Sequence, residues 1–254
     1  MKTWLFFDRF KFFVRKNSST SGAVKLASET YVNAQADGDV TLPVLIMHGL
    51  FGSKAVWAHI ARFLAMESNP RRKIIALDAR NHGDSPHTSE HSYEHMSNDL
   101  LYFMQMNKIA KATVLGHSMG GRCAMYFSLT QPDKIEKLIV CDISPINNND
   151  SQFSTIKFQL ETMNQVKFPK DVSLHEAKND VDKQLSVKIP KPLSRQFILT
   201  NIIQNEDGSF SWRFNLPVLV QNFQQNIDQF PNVEGKVFNG PVLFLIGEES
   251  SFVP

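Results

Sequence analysis

The residues best suited to covalent chemistry form a short turn, Gly116-His117-Ser118-Met119-Gly120. An apolar run precedes this turn and a helix-forming run follows it, so Ser118 is predicted to lie on a sharp passage from a strand into a helix. Glycine is needed at 116 and 120 because a side chain there would collide with the neighbouring strand or helix. The helix N-terminus favours negative charge that develops beside Ser118. The pattern predicts a serine nucleophile.

A second glycine-containing turn, His48-Gly49-Leu50-Phe51-Gly52, ends the first predicted strand. Backbone amides in such a turn can face a bound oxyanion, and we predict the amides of Leu50 and Met119 as the two donors. One donor of this kind contributes about 3 to 4 kcal/mol of transition-state stabilisation. The alternative is an ordinary strand-to-helix turn, in which glycine supplies a positive φ.

A serine hydroxyl becomes an effective nucleophile only beside a base, usually a histidine that a carboxylate orients. Asp142 ends the strand that follows the Ser118 strand, so both side chains leave the same edge of a parallel sheet. We predict Asp142 as the orienting acid. A loop-capping role for Asp142 is one alternative, and an acid near Glu248, after the last strand, is another.

These residues are positioned by apolar runs that alternate with amphipathic stretches, the pattern of a mostly parallel α/β sheet. The predicted strands are residues 44–48, 73–78, 112–116, 138–142 and 242–247. The long interval before the last strand predicts a helical lid. The predicted organisation is a leader (1–22), the first part of the core (23–146), the lid and its return (147–235) and a final core strand (236–254). Aromatic and methionine side chains in the lid are expected to pack internally: Phe153, Phe158, Met163, Phe197 and Phe210.

The second predicted strand runs into a polar loop, DARNHGDSP (78–86). Its charged side chains are expected to tie neighbouring loops together. We assign this loop a structural role and no part in catalysis.

Four motifs in this order, HGLFGS (48–53), DARNHGDSP (78–86), GHSMGG (116–121) and CDISP (141–145), resemble the α/β-hydrolase fold. The chain closely resembles the α/β-hydrolase domain-containing protein 11 group, from about residue 44 to 252. The resemblance implies a mitochondrial serine ester hydrolase that acts on diacylglycerol and other acyl esters. It also implies an α/β-hydrolase fold with a helical lid and no cofactor.

The base that this chemistry needs is not evident in the sequence. None of the eight histidines follows the last predicted strand, where the resemblance implies a further helix, a strand and a loop with the catalytic histidine. His117 is expected to point sideways from the turn and His175 to lie in the lid. We therefore expect a truncated isoform or fragment with little activity, because removing a triad histidine costs up to about a millionfold in turnover.

The first 22 residues, MKTWLFFDRFKFFVRKNSSTSG, combine aromatic residues at helical spacing with basic and hydroxyl residues. This composition is typical of a mitochondrial targeting segment. The alternatives are a peripheral tail and a cytoplasmic protein. Cys123 and Cys141 are too few for a disulfide framework or zinc site and fit a reducing compartment.

Composition excludes several function classes. Residues 1–30 hold six basic and two acidic residues, which leaves 21 basic and 23 acidic residues in the body and no charge support for nucleic-acid binding. No apolar run is long enough to span a membrane, and no metal site is indicated. The glycine spacing excludes a dinucleotide site, and serine at position 118 excludes a dehalogenase of the same fold. The expected partner is a small-molecule or lipid ester substrate; the alternative function is a non-catalytic binding or scaffold protein.

Overall fold

The computed structural model describes residues 22–33, 41–146, 151–248 and 250. The strands are β1 (Ser28–Tyr31), β2 (Thr41–Met47), β3 (Arg72–Leu77), β4 (Ala112–His117), β5 (Ile135–Cys141), β6 (Ile202–Gln204), β7 (Phe210–Trp212) and β8 (Val242–Leu245). The helices are α1 (Ala58–Glu67), α2 (Tyr93–Met106), α3 (Met119–Thr130), α4 (Ser151–Met163), α5 (Leu174–Ser186), α6 (Pro192–Leu199) and α7 (Leu216–Asn222). The predicted targeting segment, apart from Gly22, lies outside the described residues.

The main sheet has the strand order β1-β3-β2-β4-β5-β8. All neighbouring pairs are parallel except β1 and β3, which run antiparallel. The five predicted strands are confirmed as β2, β3, β4, β5 and β8. In a parallel sheet the carboxyl ends of the strands share one edge, so the loops after β2, β4 and β5 are brought together there.

The two faces of the sheet are buried in separate cores. Leu45 and Met47 of β2 belong to the larger core under α2 and α3, whereas Val44 and Ile46 belong to the smaller core that includes Ala61 of α1. A strand covered on both faces is apolar at every position rather than at alternate ones. This explains why β2 appears in the sequence as an uninterrupted apolar run.

The segment between β5 and β8 contains α4 to α7 and a small antiparallel sheet of β6 and β7. Met163 and Phe210 are buried and Phe153 is partly buried against the larger core, as expected. The same expectation is wrong for Phe158 and Phe197, whose side chains are 45% and 38% exposed. Helical spacing places an aromatic residue on a face of its helix but does not establish that another element covers that face.

Three strands were not predicted. β1 is short and largely polar, SETY, and is held by pairing with β3 at the sheet edge. β6 and β7 have three residues each and pair with one another. At the opposite edge, β8 pairs with β5, and its side chains are exposed within the described part of the chain.

Candidate active site

Ser118 lies between the end of β4 and the start of α3 with φ 51° and ψ −120°, a conformation that non-glycine residues rarely adopt. Its amide donates to the Cys141 carbonyl (3.0 Å), and its carbonyl accepts from the Arg122 amide (3.0 Å). The serine side chain is only partly buried. The backbone is therefore fixed while Ser118 remains within reach of solvent.

The two glycines around Ser118 are required by close backbone contacts. A Cβ on Gly116 would lie 2.1 Å from the Gly120 carbonyl oxygen, and one on Gly120 would lie 2.3 Å from the Met47 carbonyl oxygen. Real Cβ atoms do not approach backbone oxygens this closely. The steric reason that the sequence suggested for both glycines agrees with this geometry.

The turn after β2 packs directly against Ser118. A Cβ on Gly49 would lie 3.1 Å from the Ser118 Cβ and 2.8 Å from His117 Nδ1. The Gly52 amide closes the turn by donating to the Gly49 carbonyl (2.9 Å). Phe51 is buried with φ 62°, so the turn has a single well-defined course.

The two predicted oxyanion donors belong to these adjoining backbones. Leu50 is part of the turn after β2, and Met119 is the first residue of α3, where an amide has no carbonyl partner within the helix. The arrangement brings the two predicted donors to the same side of the sheet as Ser118. It is compatible with an anion bound between the turn and the helix N-terminus.

Three fully buried histidines, His48, His82 and His91, lie beneath the Ser118 turn. The sequence predicted no role for His48 or His91, and for His82 only the structural role of the 78–86 loop. His48 accepts from the Ala79 amide through Nε2 (3.0 Å), and its ring lies 5.1 Å from that of His82. The His82 ring in turn lies 5.6 Å from that of His91. Burial lowers the pKa of all three side chains, and lowers that of His91 to about 3, so the layer is neutral at physiological pH.

His91 connects this layer of buried histidines to the turn that carries Ser118. Its Nδ1 accepts from the Asn81 side-chain amide (3.4 Å), which leaves Nε2 as the protonated nitrogen facing the Met119 sulfur at 3.4 Å. Met119 carries one of the predicted oxyanion amides. The two His-Gly pairs, at 48–49 and 82–83, were the available signal for the layer, but no sequence spacing brings His91 to Met119.

Asp142 follows β5 at the sheet edge, with φ 58°. Its amide donates to the Leu245 carbonyl (2.8 Å), and its Oδ1 accepts from the Gly247 amide (3.1 Å). Asp142 is therefore held between the ends of β5 and β8. Glu248, the alternative acid, is exposed in the turn that follows.

In the described ranges, no histidine side chain is hydrogen-bonded to Ser118. Burial lowers the pKa of His117, and the nearby Asp142 charge opposes that shift. The His117 ring packs between Gly49 and Trp57, 6.3 Å from the Trp57 ring. Within the described part of the chain, none of the eight histidines hydrogen-bonds to Ser118 or Asp142.

The loop after β3 forms the structural support expected of it. Asp78 is fully buried and accepts from the Lys54 backbone amide (2.5 Å), the Lys54 Nζ (2.7 Å) and the Asp84 amide (2.9 Å). Arg80 and Asp99, both fully buried, form a two-contact ion pair of 2.7 Å each. The Asp78 contacts join the loop to Lys54, just after the turn that faces Ser118, and the ion pair joins the loop to α2.

No cluster of three or more potential metal-binding side chains occurs in the described ranges. Among these same residues, no helix combines the length and apolar character needed to cross a membrane.

Comparisons with known proteins agree on one family. The sequence profile for the alpha/beta hydrolase fold matches residues 43–254. The chain is 41% identical to the sn-1-specific diacylglycerol lipase ABHD11 of Mus musculus over 218 residues, covering 85% of this chain and 69% of the lipase. It is 32% identical to the esterase YbfF of Escherichia coli, covering 83% and 76%. A solved marine microorganism esterase aligns with a TM-score of 0.78 at 31% identity, covering 91% and 84%.

Proposed function

This chain belongs to the alpha/beta hydrolase fold family, and we propose that it is a serine hydrolase that cleaves carboxylic esters through an acyl intermediate on Ser118. The observation that carries the proposal is the conformation of Ser118, a partly exposed serine with φ 51° between β4 and α3. A strained residue of this kind costs about 1 to 3 kcal/mol. That cost is understandable where the side chain must be presented for reaction.

In the proposed reaction, Ser118 Oγ attacks the ester carbonyl carbon while a histidine takes the serine proton. The negative oxygen of the tetrahedral intermediate accepts hydrogen bonds from the amides of Leu50 and Met119. Collapse of the intermediate expels the alcohol, which receives the proton from the histidine. Water, deprotonated by the same histidine, then attacks the acyl carbon. The bond from that carbon to Ser118 Oγ breaks, the histidine returns its proton to Oγ, and the carboxylic acid is released.

We assign Asp142 as the acid that orients the histidine, because it leaves the sheet edge beside the Ser118 strand and is held by the Gly247 amide. The histidine itself is proposed to come from residues outside the 254 of this sequence. His117 is confined by Gly49 and Trp57, and His175 is exposed on α5, where its Nε2 contacts the Asn179 side chain. A polypeptide of these residues alone is then expected to hydrolyse esters poorly.

The proposed substrates are acyl esters, with diacylglycerol as the first to test. The mouse relative, 41% identical, is named as a diacylglycerol lipase, and the bacterial relative is named as an esterase. The segment between β5 and β8 is proposed to act as a lid over the carboxyl edge of the sheet. Residues 1–22 are proposed to direct import into mitochondria, which fusion of this segment to a fluorescent protein would test.

A non-catalytic binding role is the second candidate. It is favoured by one observation: no described histidine hydrogen-bonds to Ser118 or Asp142. A binding protein would bind an ester or a partner without turnover, and Ser118 would gain nothing from its strained backbone. The two roles are separated by measuring ester hydrolysis.

The test compares the 254-residue polypeptide with a chimera that continues past Pro254 with the C-terminal segment of the mouse relative. Hydrolysis of a short-chain ester and of diacylglycerol is measured for both. The chimera is expected to hydrolyse these esters, and Ser118→Ala in the chimera is expected to abolish their hydrolysis. Ser128→Ala, in a buried serine of α3, is the matched control and should retain activity. A well-folded chimera without hydrolytic activity would support the binding role.

A further inference from the structure

The segment that runs from the end of α5 into the first turn of α6 presents the two most exposed large apolar side chains of the described chain. Val187, directly after α5, is 83% exposed, and Leu193, in the first turn of α6, is 79% exposed. We call residues 187–193 the lid loop. Apolar side chains usually leave water on folding, so two such protruding side chains in one loop indicate a surface meant to be covered.

The lid loop is firmly anchored. Ile189 is buried, and its amide donates to the Leu185 carbonyl (2.8 Å). Arg195 Nη1 donates to the carbonyls of Ile189 (2.9 Å) and Pro190 (3.0 Å), and the Arg195 guanidinium pairs with Asp182 at 2.7 Å. The exposed side chains are thus held outward by a fixed backbone.

Two lysines accompany the apolar side chains. Lys188 and Lys191 are exposed, and neither forms an ion pair with any residue in the described ranges. Lys188 Nζ contacts only a neutral group, donating to Gln165 Oε1 at 2.8 Å. Both lysines line a cavity of about 380 Å³ with Ile156 and the exposed Phe158 of α4. The surface therefore combines apolar groups with uncompensated positive charge.

We infer that the lid loop docks on an anionic lipid bilayer, with Val187 and Leu193 inserted among the acyl chains and Lys188 and Lys191 against the lipid phosphates. A membrane interface favours this combination, because the binding free energies of apolar insertion and of attraction to anionic lipids add together. A specific protein partner would need a broad complementary patch of about 1,000 Å². A few side chains protruding from one anchored loop match a bilayer better.

The docked position would bring the membrane close to the proposed active site. Phe197 lies four residues after Leu193 on α6 and is itself partly exposed, so the two share one helix face. Asn201, just after α6, donates to the Phe51 carbonyl (2.9 Å) in the turn that faces Ser118. Docking concerns where the protein binds and does not depend on the reaction at Ser118.

The experiment is vesicle co-sedimentation of the full chain, once with phosphatidylcholine alone and once with one third phosphatidylglycerol added. Strong binding is expected only to the anionic vesicles. Lys188→Gln with Lys191→Gln should lower the partition coefficient about 30-fold, since each lysine near an anionic surface contributes about fivefold. Leu193→Asn, a substitution that retains both charges, should lower it at least about tenfold.

The matched control is Lys73→Gln with Lys111→Gln, two exposed lysines beside a different cavity, which should bind like the parent. Circular dichroism checks that every variant is folded, and because each altered side chain is on the surface, the thermal midpoint should be unchanged. Absence of binding to anionic vesicles would overturn the inference. So would binding that the lid-loop substitutions leave intact, which would point to another part of the chain, such as the basic and aromatic residues 1–22 or β8. Ser118→Ala should bind normally, so loss of ester hydrolysis and loss of docking are distinguishable.

Discussion

Ser118 is a position at which glycine should be more stable than alanine. With φ 51° and ψ −120°, a Cβ there costs about 1 to 3 kcal/mol, a cost that glycine avoids. Glycine also loses about 0.5 to 1 kcal/mol more backbone entropy on folding than alanine. The difference predicts that the free energy of unfolding of Ser118→Gly exceeds that of Ser118→Ala by up to about 2.5 kcal/mol, although both should be inactive.

The assay is equilibrium denaturation in urea, followed by circular dichroism at one protein concentration. The matched control is the pair Ser128→Gly and Ser128→Ala, at a position within α3. There the sign should reverse, with glycine about 1 kcal/mol less stable than alanine. If Ser118→Gly proved less stable than Ser118→Ala, as in the control pair, the backbone at Ser118 would not be strained and the main support for a presented nucleophile would be lost.

Three further predictions concern the surroundings of Ser118. Gly120→Ala should lower the free energy of unfolding by about 1 to 3 kcal/mol, because the new Cβ meets the Met47 carbonyl; chemical denaturation measures this, and an unchanged midpoint would contradict the geometry. The pKa of His91 is about 3 in the fold, against 6.5 ordinarily. Its contribution to the free energy of unfolding is therefore complete above pH 6.5 and is lost below that pH at about 1.4 kcal/mol per pH unit. Between pH 7 and 5 the free energy of unfolding, measured by chemical denaturation, should fall less steeply with pH in His91→Gln than in the parent, by about that slope. Equal slopes in the two proteins would show that the pKa of His91 is not lowered in the fold. Asp99→Asn should cost about 3 to 5 kcal/mol by leaving buried Arg80 unpaired, whereas a loss under 1 kcal/mol in the same assay would show that this ion pair does not support the loop.

The parts of the fold that sequence reasoning found are those whose environment is uniform. β2 to β5 are covered on both faces or nearly so, and their apolar runs follow from that burial. β1 was not predicted, because three of its four residues are exposed and its backbone pairing with β3 depends on no side-chain pattern. The exposure of Phe158 and Phe197 was not predicted, although these residues do follow a side-chain pattern. Their helical spacing is the same whether or not a neighbouring element covers that face of the helix.

Near the candidate site, a local motif was sufficient to predict the strand-to-helix turn at Ser118 and the need for glycine at 116 and 120, because the steric constraints arise within one turn and its neighbouring strand. Long-range contacts were not predictable in this way. The approach of His91 to Met119 joins residues 28 positions apart, because the segment just before α2 packs against the start of α3. The sequence placed Asp142 at the correct sheet edge, but its contact with Gly247 depends on how β8 pairs with β5.

The central claim, that Ser118 is a nucleophile, is tested most directly by a fluorophosphonate probe, which bonds covalently to activated serines. The chain extended with the C-terminal segment of the mouse relative is labelled, digested and mapped by mass spectrometry, beside its Ser118→Ala and Ser128→Ala variants. We predict one adduct, on the peptide that contains Ser118, absent in Ser118→Ala and retained in Ser128→Ala. The 254-residue polypeptide should label far more slowly. A folded extended chain that carries no adduct, or that carries one on another serine, would contradict the assignment.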